Sequence, residues 1–274
     1  MQCNLENISI HYEMIGEGRP LILLHGLPLD HRYMVRDMEP IFAHREGWKR
    51  IYPDLPGMGE TPGADWITTQ DQILDIVLDF IDQVIPGQRF VVAGASYGGY
   101  LARGVIYRRS AVIDGLLLTA PGIVADFSKR TLPAHVTLAE DREVLAEMEP
   151  EQAKDLQGFA VALTRKLADY MKANIYPAVE IADHKFLDSL DEHWAFSFDV
   201  DNLTQPFPKP ALILTGRQDS ITGYVDAWGI LENYPRGTFV VLDRAGHGLQ
   251  VEQDALFRAL VNEWLDRVEE STNS

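Results

Sequence analysis

The chain reads VVAGASYGGY at residues 91–100, a pattern that predicts a buried strand, a sharp turn and the start of a helix. Ser96 stands at the apex of the turn, with Gly94 and Gly98 two residues to either side. Glycines there remove the side chains that would block a tight reversal from strand to helix. A serine held in such a strained conformation, at a cost of about 1–3 kcal/mol, has its hydroxyl pushed out over the end of the sheet. The pattern therefore predicts a nucleophile elbow with Ser96 as the nucleophile.

The composition of the 274 residues is that of an ordinary globular chain, with 46% hydrophobic and 24% charged residues. This length suits one large domain with an insertion or two small domains. The net charge of −17 argues against nucleic acids and anionic membranes as partners. The single cysteine, Cys3, excludes an intramolecular disulfide, and we expect neither a signal peptide nor a membrane-spanning segment. We therefore expect a cytoplasmic monomer or homodimer whose partner is a small molecule.

Strands and helices alternate at both ends of the chain. Continuous apolar runs at 20–24, 90–93 and 115–119 predict strands covered on both faces. Thr69 with Gln72 forms a capping box that opens a helix with one apolar face. The alternation predicts the α/β class, with a mostly parallel central sheet and helices on both faces.

The pattern changes between residues 123 and 206, where strand-like runs disappear. Helices are predicted over 138–148 and 151–173, followed by a short one over 186–194. The apolar residues that recur at a spacing of four within the longest of them are Phe159, Leu163 and Leu167. We therefore predict a core domain formed by 1–122 and 207–274, with a helical insertion at 123–206.

Three chemically useful residues follow directly on predicted strands, each in a loop that contains glycine. They are Ser96, Asp219 and His247, which come after the strands at 90–93, 211–215 and 238–242. Functional residues of parallel sheets lie at the carboxyl ends of the strands, so these three are expected to meet there. Their chain order, serine then aspartate then histidine, is the one expected for a triad behind a nucleophile elbow.

Each of the three residue types is suited to a different role in the same reaction. A serine hydroxyl is a poor nucleophile at neutral pH and needs a base that takes its proton. Histidine titrates near neutrality, so His247 can accept that proton and later donate it. Asp219 would hold the imidazole in the correct tautomer and stabilise the imidazolium. Asp226, in a predicted helix nearby, is the competing carboxylate.

A catalytic serine also needs N–H donors for the oxyanion that forms when it attacks a carbonyl group. One is expected from the residue after the nucleophile, Tyr97. The other is expected from the loop His25-Gly26-Leu27-Pro28, which follows the strand at 20–24. Leu27 is the candidate because Pro28 has no N–H. His25 is expected to brace this loop.

No metal or cofactor is expected. The remaining histidines show no spacing typical of metal ligands, and neither an HExxH motif nor paired cysteines occur. These histidines are His11, His31, His44, His135, His184 and His193. The glycines at 94–99 lack the spacing of a dinucleotide-binding loop, and a phosphate-binding loop with its lysine is also absent.

Taken together, the motifs resemble the successive landmarks of the α/β-hydrolase fold, and they span nearly the whole chain. They are His25-Gly26, DLPGMG at 54–59, GASYGG at 94–99, GRQD at 216–219 and Gly246-His247. The resemblance implies that the insertion at 123–206 is a cap over the site. It also implies an activity like that of the capped serine carboxylesterases.

Within this family, Ser96 differs from the aspartate that dehalogenases and epoxide hydrolases carry at the elbow. The residues after His25-Gly26 differ from the loops of proline iminopeptidases and of the hydrolases that cleave carbon–carbon bonds in ring-cleavage products. The sequence is similar to small capped carboxylesterases and to the lyase of the menaquinone pathway. Such a lyase needs arginines over its site for a polyanionic substrate. The arginines that could serve are Arg32, Arg36, Arg103 and Arg165.

The resemblance thus implies a serine hydrolase that cleaves small to medium carboxylic esters through an acyl-enzyme. A carbon–carbon hydrolase or a lyase with the same triad stays open, as does a ligand-binding member without catalysis. The residues expected to contact the substrate from the core are Leu29, Tyr97, Ile221 and Leu249. Those expected from the underside of the cap are Phe159, Leu163, Phe186 and Trp194.

Overall fold

The computed structural model describes residues 1–190 and 194–273. Its strands are β1 (Gln2–Asn4), β2 (Ser9–Ile15), β3 (Arg19–Leu24), β4 (Trp48–Pro53), β5 (Phe90–Ala95), β6 (Ile113–Thr119), β7 (Ala139–Glu140), β8 (Ala162–Leu163), β9 (Ala211–Gly216) and β10 (Gly237–Leu242). The central sheet has the order β1-β2-β4-β3-β5-β6-β9-β10. Neighbours from β4 to β10 are parallel, whereas β2 is antiparallel to both β1 and β4. The predicted mostly parallel sheet is confirmed.

The helices are α1 (His31–Phe42), α2 (Gln70–Val84), α3 (Tyr97–Arg109), α4 (Arg142–Ala146), α5 (Pro150–Phe159), α6 (Arg165–Tyr170), α7 (Tyr176–Ile181), α8 (His184–Ser189), α9 (Val225–Gly229), α10 (Leu249–Glu252) and α11 (Asp254–Asn273). A π-helical turn, Met171–Ile175, joins α6 to α7. The capping box at the start of α2 is confirmed: the Thr69 hydroxyl accepts from the backbone N–H of Gln72, and the side-chain Oε1 of Gln72 accepts from the backbone N–H of Thr69.

The central strands are buried on both faces because helices cover both sides of the sheet. Successive side chains of a strand point to opposite faces. Leu21 and Leu23 of β3 belong to the apolar layer beneath α1 and α11, and Ile22 and Leu24 belong to the layer beneath α2 and α3. This division explains the continuous apolar run in the sequence.

The segment between β6 and β9 differs from the prediction of an insertion built from helices alone. Instead of one helix over 151–173, α5 ends at Phe159, the chain becomes extended, and β8 pairs in parallel with β7 before α6 begins. The N–H groups of Val161 and Ala162 donate to Glu252, at 2.8 and 2.9 Å. Because that acceptor lies some ninety residues further along the chain, the local apolar spacing could not reveal the break. Phe159, Leu163 and Leu167 therefore lie on three different elements.

The short helix predicted over 186–194 agrees with the structure only in its first part. α8 begins at His184 and ends at Ser189. The rest of that prediction includes 191–193, which lie outside the described residues, as does the expectation for His193. No helix in the described part of the chain is both long enough and apolar enough to cross a membrane.

Candidate active site

The turn between β5 and α3 has the geometry of a nucleophile elbow. Ser96 stands between them with φ 52° and ψ −113°, a region that non-glycine residues rarely adopt. A Cβ atom on Gly94 would collide with the carbonyl oxygen of Gly98, and one on Gly98 would collide with that of Leu24. The two glycines are therefore what allows the strand and the helix to meet so closely at Ser96.

The structure brings the three predicted residues together at the carboxyl end of the sheet. The Oγ of Ser96 lies 3.0 Å from Nε2 of His247, and Nδ1 of His247 lies 3.0 Å from Oδ2 of Asp219. Both distances suit hydrogen bonds in which the imidazole takes the serine proton and the carboxylate holds the imidazole. This is the geometry of an acyl-transfer triad.

Asp219 is fully buried and has several hydrogen-bond donors besides the histidine. Its Oδ1 accepts from the N–H groups of Ile221 and Thr222, at 2.8 and 3.0 Å. The Thr222 hydroxyl lies 2.8 Å from Oδ2. Burial by itself raises the pKa of Asp219, but His247 and these N–H donors lower it to about 2. The carboxylate is therefore ionised at neutral pH. The sequence analysis did not single out Thr222, although an aspartate that accepts from backbone N–H groups a few residues further on is common in turns.

Asp226, the competing carboxylate, lies elsewhere. It is in α9, and its Oδ2 accepts from the backbone N–H of Thr131 at 2.9 Å. The structure gives it no hydrogen bond or ion pair with His247.

The two predicted oxyanion donors flank Ser96. Tyr97 begins α3, and Leu27 lies in the loop after β3, joined to Pro28 by a cis peptide bond. In the described part of the chain, neither backbone N–H donates a hydrogen bond to another group of the protein. The loop comes close to the serine, because a Cβ atom on Gly26 would lie 3.2 Å from that of Ser96. Both N–H groups are thus available to a ligand.

His25 has the bracing contacts expected of it. Its side chain is fully buried, Nε2 accepts from the Leu55 N–H at 3.0 Å, and Nδ1 lies 2.9 Å from the Gly26 carbonyl oxygen. Burial lowers the pKa of His25. A neutral imidazole that donates from Nδ1 satisfies both contacts, so His25 joins the loop after β3 to the loop after β4.

Ser96 and His247 open into a cavity of about 1130 Å³ between the core loops and the insertion. Its lining is largely apolar and aromatic. The predicted contact residues that line it are Leu29, Tyr97, Ile221, Phe159 and Trp194. The ring of Phe159 stands edge-on to that of His247, with centroids 6.4 Å apart. Residues of the insertion therefore form part of the wall beside the triad.

Three other predicted contact residues do not line the cavity, which corrects the prediction for them. Leu249 is fully buried in the core, while its neighbours Gly248 and Gln250 line the cavity. Adjacent side chains on a helix point about 100° apart, so a step of one residue at the start of α10 moves the side chain from cavity to core. The other two are Leu163, which is buried in the core, and Phe186, which packs over Gly57 and Gly63.

Glu252 is a second residue that sequence reasoning missed. Its Oε2 accepts from the N–H of Gly246 at 2.7 Å, directly before His247. Its Oε1 accepts from the N–H groups of Val161 and Ala162. One carboxylate therefore links the histidine loop to β8 of the insertion.

The arginine that lines the cavity in the described structure is Arg130, which was not predicted. Its guanidinium donates to the backbone carbonyls of Val124, Ala125 and Ile221 and forms no ion pair with a described carboxylate. None of the four arginines considered for a polyanionic substrate lines the cavity. Three of them form ion pairs: Arg32 with Asp30, Arg103 with Asp201 and Arg165 with Glu147.

A cluster outside the cavity was also missed. His11, His31 and Asp54 lie close enough together to be considered as metal ligands. However, the Asp54 carboxylate already lies within hydrogen-bond distance of four N–H donors, namely Nδ1 of both histidines and the N–H groups of His31 and Glu60. A carboxylate has about four lone-pair sites, so this arrangement suits a hydrogen-bonded cluster.

Comparison with known proteins agrees with the observed fold. The model of the Alpha/beta hydrolase family matches residues 21–260. The chain belongs to this family. A solved alpha/beta superfamily hydrolase from Oenococcus oeni PSU-1 superposes with a TM-score of 0.88 at 30% identity, covering 98% of this chain and 99% of that one.

Curated relatives of this alpha/beta hydrolase have different activities. A pimeloyl-[acyl-carrier protein] methyl ester esterase of Legionella pneumophila (strain Paris) is 26% identical, over 94% of this chain and all of the relative. A 2-hydroxy-6-oxo-6-(2'-aminophenyl)hexa-2,4-dienoic acid hydrolase of Metapseudomonas resinovorans is 23% identical, over 96% of this chain and 90% of the relative. Together they place the chain among hydrolases without identifying its substrate.

Proposed function

We propose that this protein is a serine hydrolase that cleaves small to medium carboxylic esters through an acyl-enzyme. The observation that carries the proposal is the chain of contacts from Ser96 through His247 to Asp219, with 3.0 Å at each step. The open, largely apolar cavity above Ser96 supports an uncharged acyl or alcohol group as the main part of the substrate.

In the proposed reaction, the Oγ of Ser96 attacks the ester carbonyl carbon while Nε2 of His247 takes the serine proton. The N–H groups of Leu27 and Tyr97 donate to the oxyanion of the tetrahedral intermediate. The intermediate collapses, the bond to the alcohol oxygen breaks, and His247 donates its proton to that oxygen. Water, deprotonated by the same histidine, then attacks the acyl group, which releases the acid and restores Ser96.

The test is covalent labelling followed by turnover. A fluorophosphonate probe should label wild-type protein on Ser96 and leave Ser96→Ala unlabelled. On p-nitrophenyl esters of graded acyl length, Ser96→Ala should lower kcat by about 10⁶. Labelling at another residue, or activity retained in Ser96→Ala, would refute the nucleophile. Absence of both labelling and turnover in the wild type would favour a ligand-binding protein without catalysis.

The second candidate is a hydrolase of carbon–carbon bonds with the same triad. It is favoured by the relative from Metapseudomonas resinovorans and by Arg130, a cation at the cavity without a carboxylate partner among the described residues. A comparison of p-nitrophenyl butyrate with a carboxylated dienone distinguishes the two candidates. Strong preference for the dienone, lost in Arg130→Gln, would replace the esterase proposal. A polyanion-binding lyase is not favoured, because the four arginines considered for its substrate, Arg32, Arg36, Arg103 and Arg165, do not line the cavity in the described structure.

A further inference from the structure

Four apolar side chains at regular spacing form part of the cavity wall. They recur every four residues along α6, the π-helical turn and α7, and all of them line the cavity. These side chains, which we call the apolar row, are Leu167, Met171, Ile175 and Val179. The reaction described above uses none of them.

The π-helical turn keeps the row on one face. An α-helix has 3.6 residues per turn, so each step of four residues moves the side chain about 40° past a full turn. Over the three steps from Leu167 to Val179, a continuous α-helix would move it by about 120°. In the π-helical turn, the N–H of Tyr176 donates to the carbonyl of Met171, five residues earlier. Because this turn takes more residues, the step from Met171 to Ile175 falls short of a full turn and offsets the drift of the steps on either side.

Two residues near this turn explain why the chain forms it. Pro177 has no N–H for the carbonyl of Ala173, and its ring would clash with that carbonyl in a regular α-helix. The side-chain amide of Asn174 donates to the carbonyl of Tyr170 at 3.0 Å. Turns of this kind within helices are frequent at functional sites. The local sequence therefore maintains an irregular turn whose effect is on the cavity wall.

The row begins beside the catalytic base and leads away from it. A Cβ atom on the glycine that follows His247 would lie 3.9 Å from Cδ1 of Leu167. Leu167 and Met171 are buried, with 1% and 7% exposure, whereas Ile175 and Val179 are half-buried. At 1.5 Å per residue, the row extends over about 18 Å. The cavity therefore has an elongated apolar wall that leads from the triad toward solvent.

We infer that the apolar row binds a long hydrocarbon chain of the substrate, on the acyl or the alcohol side of the ester. Apolar surface gains free energy when it leaves water, roughly in proportion to its area. A short ester bound at Ser96 would leave most of the row in contact with water, whereas a long chain would cover it. This inference rests on the proposed function and places the substrate at the longer end of the proposed small to medium esters.

Two series of esters test the inference. In p-nitrophenyl alkanoates only the acyl chain grows, and in alkyl acetates only the alcohol chain grows. In one of these series, kcat/KM of the wild type should rise about threefold for each added CH₂ group while the chain covers the row. It should then level off, because the far end of the row is open to solvent. Values of kcat/KM that do not rise with chain length in either series would overturn the inference.

Two variants locate the chain along the row. A tryptophan in place of Val179 or Ile175 would fill the cavity there, so kcat/KM should stop rising at a shorter chain than in the wild type. Ile175 lies nearer to the triad, so Ile175→Trp should stop the rise at a shorter chain than Val179→Trp. Val179→Trp covers the case in which Ile175→Trp does not fold. An end point in Val179→Trp equal to that of the wild type would overturn the inference.

Ile181→Trp is the matched control. Ile181 is also an aliphatic residue of α7, but it is 51% exposed and does not line the cavity. Ile181→Trp should therefore keep the chain-length dependence of the wild type. A shift as large as that in Val179→Trp would show that added bulk on α7, and not contact with the row, sets the chain length.

Binding to Ser96→Ala separates this inference from the proposed function. The same esters are titrated calorimetrically into Ser96→Ala and into Ser96→Ala combined with Val179→Trp. Affinity that rises with chain length in the first protein and levels off earlier in the second supports the inference even if the wild type hydrolyses no ester, a result that would refute only the esterase. Affinity independent of chain length would refute the role of the row while turnover still supports the esterase.

Discussion

Two buried aspartates at strand ends have similar partners in this protein. Asp219 follows β9 and Asp54 follows β4, and both side chains are fully buried. Each accepts backbone N–H groups and lies within hydrogen-bond distance of Nδ1 of a histidine: His247 for Asp219, and both His11 and His31 for Asp54. In both places, neighbouring donors lower the pKa of the carboxyl group against the effect of burial.

The difference lies at the other nitrogen of each imidazole. Nε2 of His247 faces Ser96 at 3.0 Å and the cavity beyond it. Nε2 of His11 lies 3.7 Å from Glu60, and Nε2 of His31 lies 3.8 Å from Glu13. The facing serine and the cavity are what distinguish the Asp219 site, while the Asp54 cluster joins β2, α1 and the loop after β4.

The largest expected effect is on the chemical step. Asp219→Asn should lower kcat by about 10⁴, because the amide no longer holds His247 in the tautomer that accepts the serine proton. Steady-state kinetics on a p-nitrophenyl ester measures this loss. Asp226→Asn is the matched control and should remain within about twofold of wild type. The reverse result would show that Asp226 is the catalytic carboxylate.

Asp54→Asn should act on stability instead. The NH₂ group of the asparagine would face N–H groups that donate to a carboxylate oxygen in the wild type. The loss of this acceptor should lower the free energy of unfolding by about 3 kcal/mol. Urea unfolding measures it, with Asp75→Asn on the exposed face of α2 as a control near zero. Asp54 contacts neither Ser96 nor His247, so kcat of the folded variant should change by less than about tenfold. A thousandfold loss of kcat at unchanged stability would contradict this division of roles.

Low pH should reduce the contribution of both aspartates to the free energy of unfolding. The pKa of Asp219 falls from its ordinary 3.8 to about 2 on folding, so its stabilising effect is complete above 3.8 and is lost as the pH falls toward 2. This amounts to about 2 kcal/mol. The pKa of Asp54 is also lowered, and its contribution is lost in the same direction. Unfolding free energies between pH 5 and pH 2 should therefore fall less steeply in Asp219→Asn and in Asp54→Asn than in wild type. Slopes equal to that of wild type would refute the linkage.

The smallest effect is expected at Glu252, which holds the histidine loop without touching the triad. Glu252→Gln leaves one of its three N–H donors facing an NH₂ group, at a cost of about 1–2 kcal/mol. Hydrogen exchange at Val161 and Ala162 should become faster, and kcat should fall by about tenfold while KM changes little. Glu263→Gln, in an exposed ion pair with Arg267, is the control. Unchanged exchange at β8 would show that Glu252 does not tie the insertion to the core.

Much of the fold and part of the site could be predicted from the sequence because their signals are local. The elbow depends on Gly94 and Gly98 within a few residues of Ser96. The strands carry apolar runs that follow from burial on both faces, and the capping box at Thr69 spans four residues. Asp219 and His247 could be predicted because functional residues lie in the loops that follow parallel strands, and those loops all lie at one edge of the sheet.

Other features of the fold and of the site depend on tertiary contacts, so local sequence patterns could not predict them. The extended segment between α5 and α6 is held by hydrogen bonds to Glu252. Leu249 packs in the core, whereas its neighbour Gln250 lines the cavity. Asp54 became the centre of a cluster because β2 and α1 bring His11 and His31 to it from distant parts of the chain. The α/β class and the three residues predicted to form a triad follow from local sequence patterns, because backbone geometry and periodicity act over a few residues. Tertiary packing determines which buried aspartate contacts a histidine that faces Ser96, and which side chains line the cavity, because those contacts join residues that lie far apart in the chain.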